Sequence, residues 1–173
     1  MSEKSIIFTG APYHILAQRK SFVGTIIQFK TLPRLQFSDL QTNTFPWYFG
    51  IQTTLPVVLA ATLPGRPLGP AGGLEGLFDP ANRWGTLLPL ATAFVTGLVN
   101  WVVVLPASKA CIAEKRKQEK KDGKRSWDPK PHSQEMTALN KKFGTLHGIS
   151  SLLNVVNFAA VVVYGFTLAT RIH

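Results

Sequence analysis

His147, Ser150 and Ser151 have the spacing in this sequence that comes nearest to a catalytic arrangement. Residues three and four positions apart share one face of a helix, so the imidazole could act as a base toward either hydroxyl. A serine nucleophile also needs an acidic residue to orient its base, and none lies near this group in the sequence. A hydrolase is therefore the least favoured function, and we predict that the protein is not an enzyme.

Metal and cofactor chemistry find no support in the residue pattern either. The single cysteine, Cys111, has no histidine near it in the sequence, and the four histidines form no ligand cluster. The glycines between residues 64 and 83 lack the following lysine and hydroxyl residue of a phosphate-binding loop. We therefore predict no catalytic residue, no metal site and no cofactor.

Three asparagines lie within apolar runs, at Asn100, Asn154 and Asn157. Amides in such surroundings have two readings: they line a polar pocket or permeation path, or they form hydrogen bonds between helices. No acidic residue falls inside these apolar runs, which disfavours a proton-coupled or cation transporter. A small-solute transporter with a polar path between helices nevertheless remains the alternative function.

The elements that hold these residues are three uncharged runs, at 45–63, 84–105 and 148–170. About 20 consecutive apolar residues are enough to cross a bilayer as a helix, so each run predicts a transmembrane span. The predicted fold is an all-α integral membrane helical bundle, with three transmembrane helices plus a short or interrupted N-terminal helix. We treat residues 1–173 as one membrane domain. Its approximate helices are 12–29 (interrupted), 39–63, 84–121 with a cytosolic extension, and 133–170 with an amphipathic start.

Basic residues are concentrated in the loop 106–147. Eleven of the nineteen Lys and Arg residues fall between Lys109 and Lys142, and the net charge is +10. The positive-inside rule therefore places this loop in the cytosol. The basic run contains no aromatic residue, so we exclude nucleic acid as a partner and expect anionic lipid. The residues predicted to face lipid are Lys115, Arg116, Lys117, Lys120 and Lys121; alternatively, the run only fixes topology and stays solvated.

The N-terminal apolar segment is interrupted by charge. Arg19 and Lys20 would lie near the middle of a helix over 12–29, and each costs about 2.5–3.5 kcal/mol at the centre of a span. We predict a helix through residues 24–29 that does not cross the membrane by itself but lies at the interface or packs against the other helices. A deletion or altered splice in the source transcript is a further hypothesis for this interruption.

Three stretches together suggest a known family: FKTLPRLQFSDLQTNTFPWYF, WVVVLPASK and LNKKFGTLHGISSLLN. They resemble the transmembrane protein 205-like family. This resemblance implies a small four-helix membrane protein, with no catalytic activity or cofactor implied. The chain departs from the family pattern at Leu105, where members can carry an acid, and at the interrupted first helix. The corresponding motif residues are Leu32, Pro33, Arg34, Phe45, Pro46, Tyr48, Phe49, Phe143, His147, Gly148, Ser150, Ser151 and Asn154.

The function predicted from these features is that of a non-enzymatic multi-pass membrane protein. It would act as an accessory or scaffold component with a basic cytosolic hairpin. The expected partners are the lipid bilayer, anionic lipids in particular, and a membrane-protein partner or further copies of the chain. No transit or retention signal is visible, so we expect the endoplasmic reticulum or another membrane of the secretory pathway.

Overall fold

A computed structural model describes residues 24–65 and 72–172, and all the regular secondary structure in this part of the chain is helical. The all-α class predicted from the sequence is therefore confirmed for the described residues. Residues 12–23 of the predicted N-terminal helix lie outside them. The helices are α1 (24–31 in the described part), α2 (Arg34–Ala61), α3 (Gly73–Leu77), α4 (Pro80–Asp122) and α5 (Gln134–Ile172).

The long helix α4 contains two widened turns, at Arg83–Leu87 and Asn100–Val104. Each widened turn ends two residues before a proline, Pro89 or Pro106. Proline has no N–H to donate, and its ring crowds the carbonyl four residues earlier in a regular helix. A wider turn relieves that conflict, so α4 continues through both prolines instead of ending at them.

Helix α1 folds against the start of α2. The bend falls at Pro33, because the residue before a proline is pushed out of helical geometry. The rings of Phe29 and Phe37 meet edge to face at 5.3 Å. The Gln41 Nε2 donates a hydrogen bond of 3.0 Å to the Gln28 Oε1. These two contacts fix the described part of α1 on α2.

Helix α4 lies between α2 and α5 and packs closely on both. Ala93 is completely buried, and a Cβ added at Gly97 would lie 3.2 Å from the backbone carbonyl of Gln52 on α2. Small residues thus let the α2 and α4 backbones approach each other. In contrast, a Cβ at Gly144 or Gly148 of α5 would meet nothing within 4 Å. Close approach at a glycine therefore occurs where α4 crosses α2, and also at Gly85 of α4, where a Cβ would lie 2.8 Å from the Thr167 Oγ1 of α5, but not at Gly144 or Gly148.

An apolar cluster joins four helices at one end of the bundle. It takes its side chains from the end of α2, from α3, from the start of α4 and from the end of α5. This arrangement holds the short helix α3 on the bundle through its buried residue Leu77, while Leu74 and Glu75 stay exposed. The buried members are Leu59, Ala60, Leu63, Leu77, Leu90, Tyr164 and Leu168.

A polar helical hairpin forms the other end. Helix α4 ends where Gly123 adopts a left-handed conformation with φ of 61°, a geometry that glycine tolerates without strain. Helix α5 begins after Ser133, whose Oγ accepts a 3.1 Å hydrogen bond from the backbone N–H of Met136. Both ends of the loop between α4 and α5 are therefore set by local chemistry.

Glu119 holds this loop to α4 from a buried position. One of its carboxylate oxygens accepts a 2.9 Å hydrogen bond from the Ser126 N–H, and the other lies 3.4 Å from the Arg125 guanidinium. Burial alone would raise the pKa of the carboxyl, but these two partners hold the Glu119 pKa below its ordinary value. The carboxylate thus remains charged and continues to anchor the loop.

Two of the described helices are long and apolar enough to cross a membrane: α4, and α5 over Gln134–Thr170. They contain the predicted spans 84–105 and 148–170. Their most apolar windows are only 39% and 28% buried, whereas the core helix of a soluble protein would be mostly enclosed. The third predicted span, 45–63, differs because α2 does not meet the same criterion. Its apolar residues are diluted by Pro46 and Pro56 and by polar groups around Gln52.

Candidate functional site

A cleft of about 570 Å³ lies among α1, α2, α4 and α5. It runs beside the polar hairpin and reaches into the apolar part of the bundle. Its volume falls within the range typical of small-molecule sites, about 300–1,000 Å³. Aromatic rings form much of its wall, and they come from three of the four helices. These rings belong to Phe29, Phe37, Phe45, Phe49 and Phe143, and the loop between α4 and α5 adds Trp127.

The outer part of the cleft carries basic side chains. Arg34, Lys109 and Lys115 line it, and no carboxylate among the described residues forms an ion pair with any of them. Arg116 also lines the cleft, but it is paired with Asp39. Glu119 also lines the cleft and is paired with Arg125, so the basic side chains remain in excess.

Lys115 lies in an environment that disfavours its own charge. Its Nζ lies 4.9 Å from the centre of the Phe143 ring. Burial lowers the pKa of the Lys115 ammonium, against the opposing attraction of Glu119. A partly buried cation with no paired carboxylate is stabilised by an anion that binds beside it.

The inner end of the cleft is polar. His147, Ser150, Ser151 and Asn154 line it from α5. The imidazole is stacked near the Phe143 ring at 6.3 Å between ring centres. No hydrogen bond joins His147 to either serine within the described residues, so this geometry does not form the base and nucleophile pair considered from the sequence.

A group of buried amides lies behind this inner end. The Asn154 Oδ1 accepts hydrogen bonds from the Gln52 Nε2 at 3.2 Å and from the Asn100 Nδ2 at 3.3 Å. The Asn100 amide also donates to the Ser150 carbonyl at 3.4 Å. Two buried acceptors, the Gln52 Oε1 and the Asn100 Oδ1, have no hydrogen-bond partner in the described part of the chain. Hydrogen-bonding capacity thus remains unused beside Asn154.

Asn157 lies deeper in the same helix interface. It is fully buried, and its Nδ2 donates to the Ala93 carbonyl at 2.7 Å and to the Thr96 Oγ1 at 3.0 Å. Of the three predicted pocket amides, only Asn154 lines the cleft. Asn100 and Asn157 instead form hydrogen bonds between α4 and α5, which is the second of the two readings made from the sequence.

The structure gathers most of the family-motif residues at one place. Those that line the cleft are Arg34, Phe45, Phe49, Phe143, His147, Ser150, Ser151 and Asn154. Those that do not line it are Leu32, Pro33, Pro46, Tyr48 and Gly148. Pro33 sets the bend before α2, and the ring of Tyr48 packs on that of Phe49 at 5.3 Å. Three sequence stretches that are far apart along the chain therefore line the same cleft.

The predicted basic residues divide into two groups. Lys115 and Arg116 line the cleft, whereas Lys117, Lys120 and Lys121 are exposed outside it. Lys109 also lines the cleft, and the only sequence signal for it is that it follows Leu105 by four positions and therefore shares its helix face. Glu119 and Gln52 were not predicted as site residues, because the burial of a single polar side chain has no local signal in the sequence.

No three His, Cys, Asp or Glu side chains within residues 24–65 and 72–172 come together as a metal site would require. What the cleft offers is binding chemistry: cations at one end, aromatic walls, and hydroxyl and amide groups at the other. Such a site can orient an elongated molecule whose two ends are both polar.

Comparison with known proteins places the chain in a family. A family model described as a domain of unknown function, DUF4149, matches residues 20–117, which include α1, α2 and most of α4. The xanthocillin biosynthesis cluster protein D of Aspergillus fumigatus is 30% identical over 169 residues, covering 93% of this chain and 90% of that protein. No solved structure matches the chain. More than half of the sequence fits the family model, so the chain belongs to the DUF4149 family.

Proposed function

We propose that this chain is a non-enzymatic multi-pass membrane protein that acts as an accessory or scaffold component. The observation that carries the proposal is the distribution of side chains across the bundle. Apolar residues cover the outside, as with Leu152 at 65% exposure and Phe166 at 73%, while Asn100 and Asn157 are fully buried. Exposed apolar surface of this extent is expected where lipid, not water, is the solvent.

We propose that α2 also crosses, as the third span. Its outer face presents Trp47, Ile51, Val57 and Val58, all at least half exposed. Its polar residue Gln52 faces inward and bonds to α5. Inward polar groups that are satisfied by neighbouring helices make a moderately apolar helix compatible with a bilayer. The resemblance to the transmembrane protein 205-like family supports the same reading.

In this proposal the basic hairpin lies in the cytosol and the loop with α3 lies on the opposite side, following the positive-inside rule. The membranes of the secretory pathway, the endoplasmic reticulum among them, are the proposed location. The similar protein named as part of a xanthocillin biosynthesis cluster is compatible with an accessory role, since a cluster groups several components around one product.

Single-cysteine labelling tests this topology. In a Cys111→Ala background, we expect a membrane-impermeant maleimide added from the cytosolic side to label Lys130→Cys in the hairpin loop. The same reagent should leave Glu75→Cys in α3 unlabelled until the membrane is permeabilised. Glu75 and Lys130 are both exposed, so a difference in labelling reports the side of the membrane and not burial within the protein. Labelling of both cysteines from one side would contradict the multi-pass arrangement.

We further propose that the exposed hairpin lysines contact the anionic surface of the membrane. Each basic residue near an anionic leaflet contributes about 1 kcal/mol. The triple variant Lys117→Gln, Lys120→Gln and Lys121→Gln should therefore weaken binding of the protein's hairpin face to anionic liposomes by roughly a hundredfold at low salt. Liposome flotation of nanodisc-embedded protein measures this binding, with zwitterionic liposomes as the control. Unchanged binding would mean that the lysines stay solvated and only fix topology.

A further inference from the structure

We infer that the cleft is a binding site for a single-chain anionic amphiphile that carries a second polar group at its far end. The anionic group would bind at Arg34, Lys109 and Lys115, and the far group at Ser150, Ser151 and Asn154. This inference concerns a ligand within the bundle, whereas the proposed function concerns the membrane placement of the chain and the surface of its hairpin.

The outer end selects charge. Three basic residues converge on it without an ion pair among the described residues, although the neighbouring Arg116 has Asp39 as its partner. Lys115 is partly buried against the Phe143 ring, and this burial lowers the pKa of its ammonium despite the attraction of Glu119. A carboxylate or phosphate bound there would form charge-assisted hydrogen bonds with these side chains.

The middle of the cleft selects an apolar chain. Phe45 and Phe49 of α2 are stacked at 5.6 Å between ring centres, and Leu105 and Ile112 of α4 line the same space. These side chains offer no charged partner to a ligand. They remove apolar ligand surface from water, at about 25 cal/mol per Å².

The inner end selects a hydrogen-bonding group. Two serine hydroxyls and the Asn154 amide line it. Behind Asn154 lie the two unpartnered acceptors, the Gln52 Oε1 and the Asn100 Oδ1, on side chains that are 3% and 0% exposed. A terminal hydroxyl both donates and accepts, so it matches this end better than a methyl group does.

The distance between the two ends sets the length of the ligand. Lys109 and Asn100 lie nine positions apart on α4, which is roughly 14 Å along the helix axis. Asn100 contacts Asn154, so the polar inner end lies at that depth. A chain of about a dozen carbons with a polar group at each end spans this distance.

A phospholipid of the bilayer fits less well. Its acyl chains end in methyl groups, which would place apolar atoms against the inner hydroxyls and amides. The ligand is therefore a free amphiphile with two polar ends. The experiment also tests whether a phospholipid occupies the cleft instead.

Three probes of equal chain length test the proposal: ω-hydroxydodecanoate, dodecanoate and dodecane-diol. Each is titrated by calorimetry into the full chain in nanodiscs of phosphatidylcholine, with empty nanodiscs subtracted. We expect ω-hydroxydodecanoate to bind about tenfold tighter than either of the others, since dodecanoate lacks the far hydroxyl and the diol lacks the anionic group.

Variants at each end should separate the two contributions. Lys109→Gln and Lys115→Gln should each weaken ω-hydroxydodecanoate by about fivefold and leave the diol unaffected. The double variant Ser150→Ala with Ser151→Ala should remove most of the preference over dodecanoate. Lys117→Gln is the matched control, since it lies outside the cleft and should not change probe binding. Thermal unfolding of each variant checks that the fold is intact.

Three results would overturn the proposal. Equal affinity for all three probes would remove the requirement for an anionic group at one end and a hydroxyl at the other. Unchanged affinity in the Lys109 and Lys115 variants would remove the anion site. Displacement of the probe by adding phosphatidylglycerol to the nanodiscs would assign the cleft to a bilayer phospholipid. The cysteine labelling and the liposome binding are read out separately, so failure of the proposed function is distinguishable from failure of this inference.

Discussion

Replacing Asn157 by aspartate should lower the free energy of unfolding by about 3–5 kcal/mol. The side chain is completely buried, and its Nδ2 donates to the Ala93 carbonyl at 2.7 Å and to the Thr96 Oγ1 at 3.0 Å. An aspartate of the same shape has no N–H to donate, and its carboxylate oxygen would face the carbonyl oxygen. A charge buried beside a like partial charge has neither water nor a counterion to stabilise it.

Two comparisons identify the cause of that loss. Asn157→Leu removes the hydrogen bonds without adding charge, so we expect a loss of only about 0.6–1.7 kcal/mol. Asn43→Asp makes the same chemical change at an exposed position of α2 and should cost less than about 1 kcal/mol. Reversible unfolding in mixed micelles measures all three. If Asn157→Asp were no worse than Asn157→Leu, the amide would not lie in a closed interface.

Local chemistry explains which parts of the fold could be predicted from the sequence. The sequence predicts that the third helix ends at residue 121, and α4 ends one residue later, at Asp122, before Gly123. The sequence predicts that the last helix begins at residue 133, and α5 begins at Gln134, where the Ser133 Oγ accepts from the Met136 N–H. These features depend on residues within a few positions of each other, so the sequence carries them directly.

The start of α2 shows where a local signal misleads. Ser38 and Gln41 have the spacing of a capping pair, and the helix was expected to begin at residue 39. In the structure α2 begins at Arg34, because Pro33 already interrupts the preceding helix. Ser38 and Gln41 therefore lie inside α2, and the Gln41 amide bonds to Gln28 of α1 instead.

The cleft could not be assembled from the sequence because it depends on long-range contacts. The Gln52–Asn154 hydrogen bond joins residues 102 positions apart, and the Lys115–Phe143 contact depends on how α4 and α5 align. Helical periodicity indicates which residues share a face of one helix, but not which face of the next helix they meet. Eight of the 26 residues that line the cleft are motif members, and their positions in the sequence do not indicate that they surround one space.

Replacing Tyr164 by alanine should cost about 3–5 kcal/mol of unfolding free energy, whereas Phe166→Ala, two positions further along α5, should cost less than about 1 kcal/mol. Tyr164 is 2% exposed and packs in the apolar cluster that joins α2, α3, α4 and α5, so its removal leaves a cavity among four helices. Phe166 is 73% exposed and has few protein atoms to lose.

The pair of variants also tests which solvent surrounds the bundle. Both residues are aromatic, lie in the same helix and would lie at nearly the same depth in a bilayer. A difference in stability between the two variants therefore does not arise from depth in the membrane. In detergent micelles Phe166→Ala should leave the melting temperature nearly unchanged, because a ring that faces lipid tails in the folded state also faces them in the dissociated helix. Equal destabilisation by the two variants would mean that the outer face of α5 is covered by protein, and the exposed apolar surface would then be a subunit interface instead of a lipid boundary.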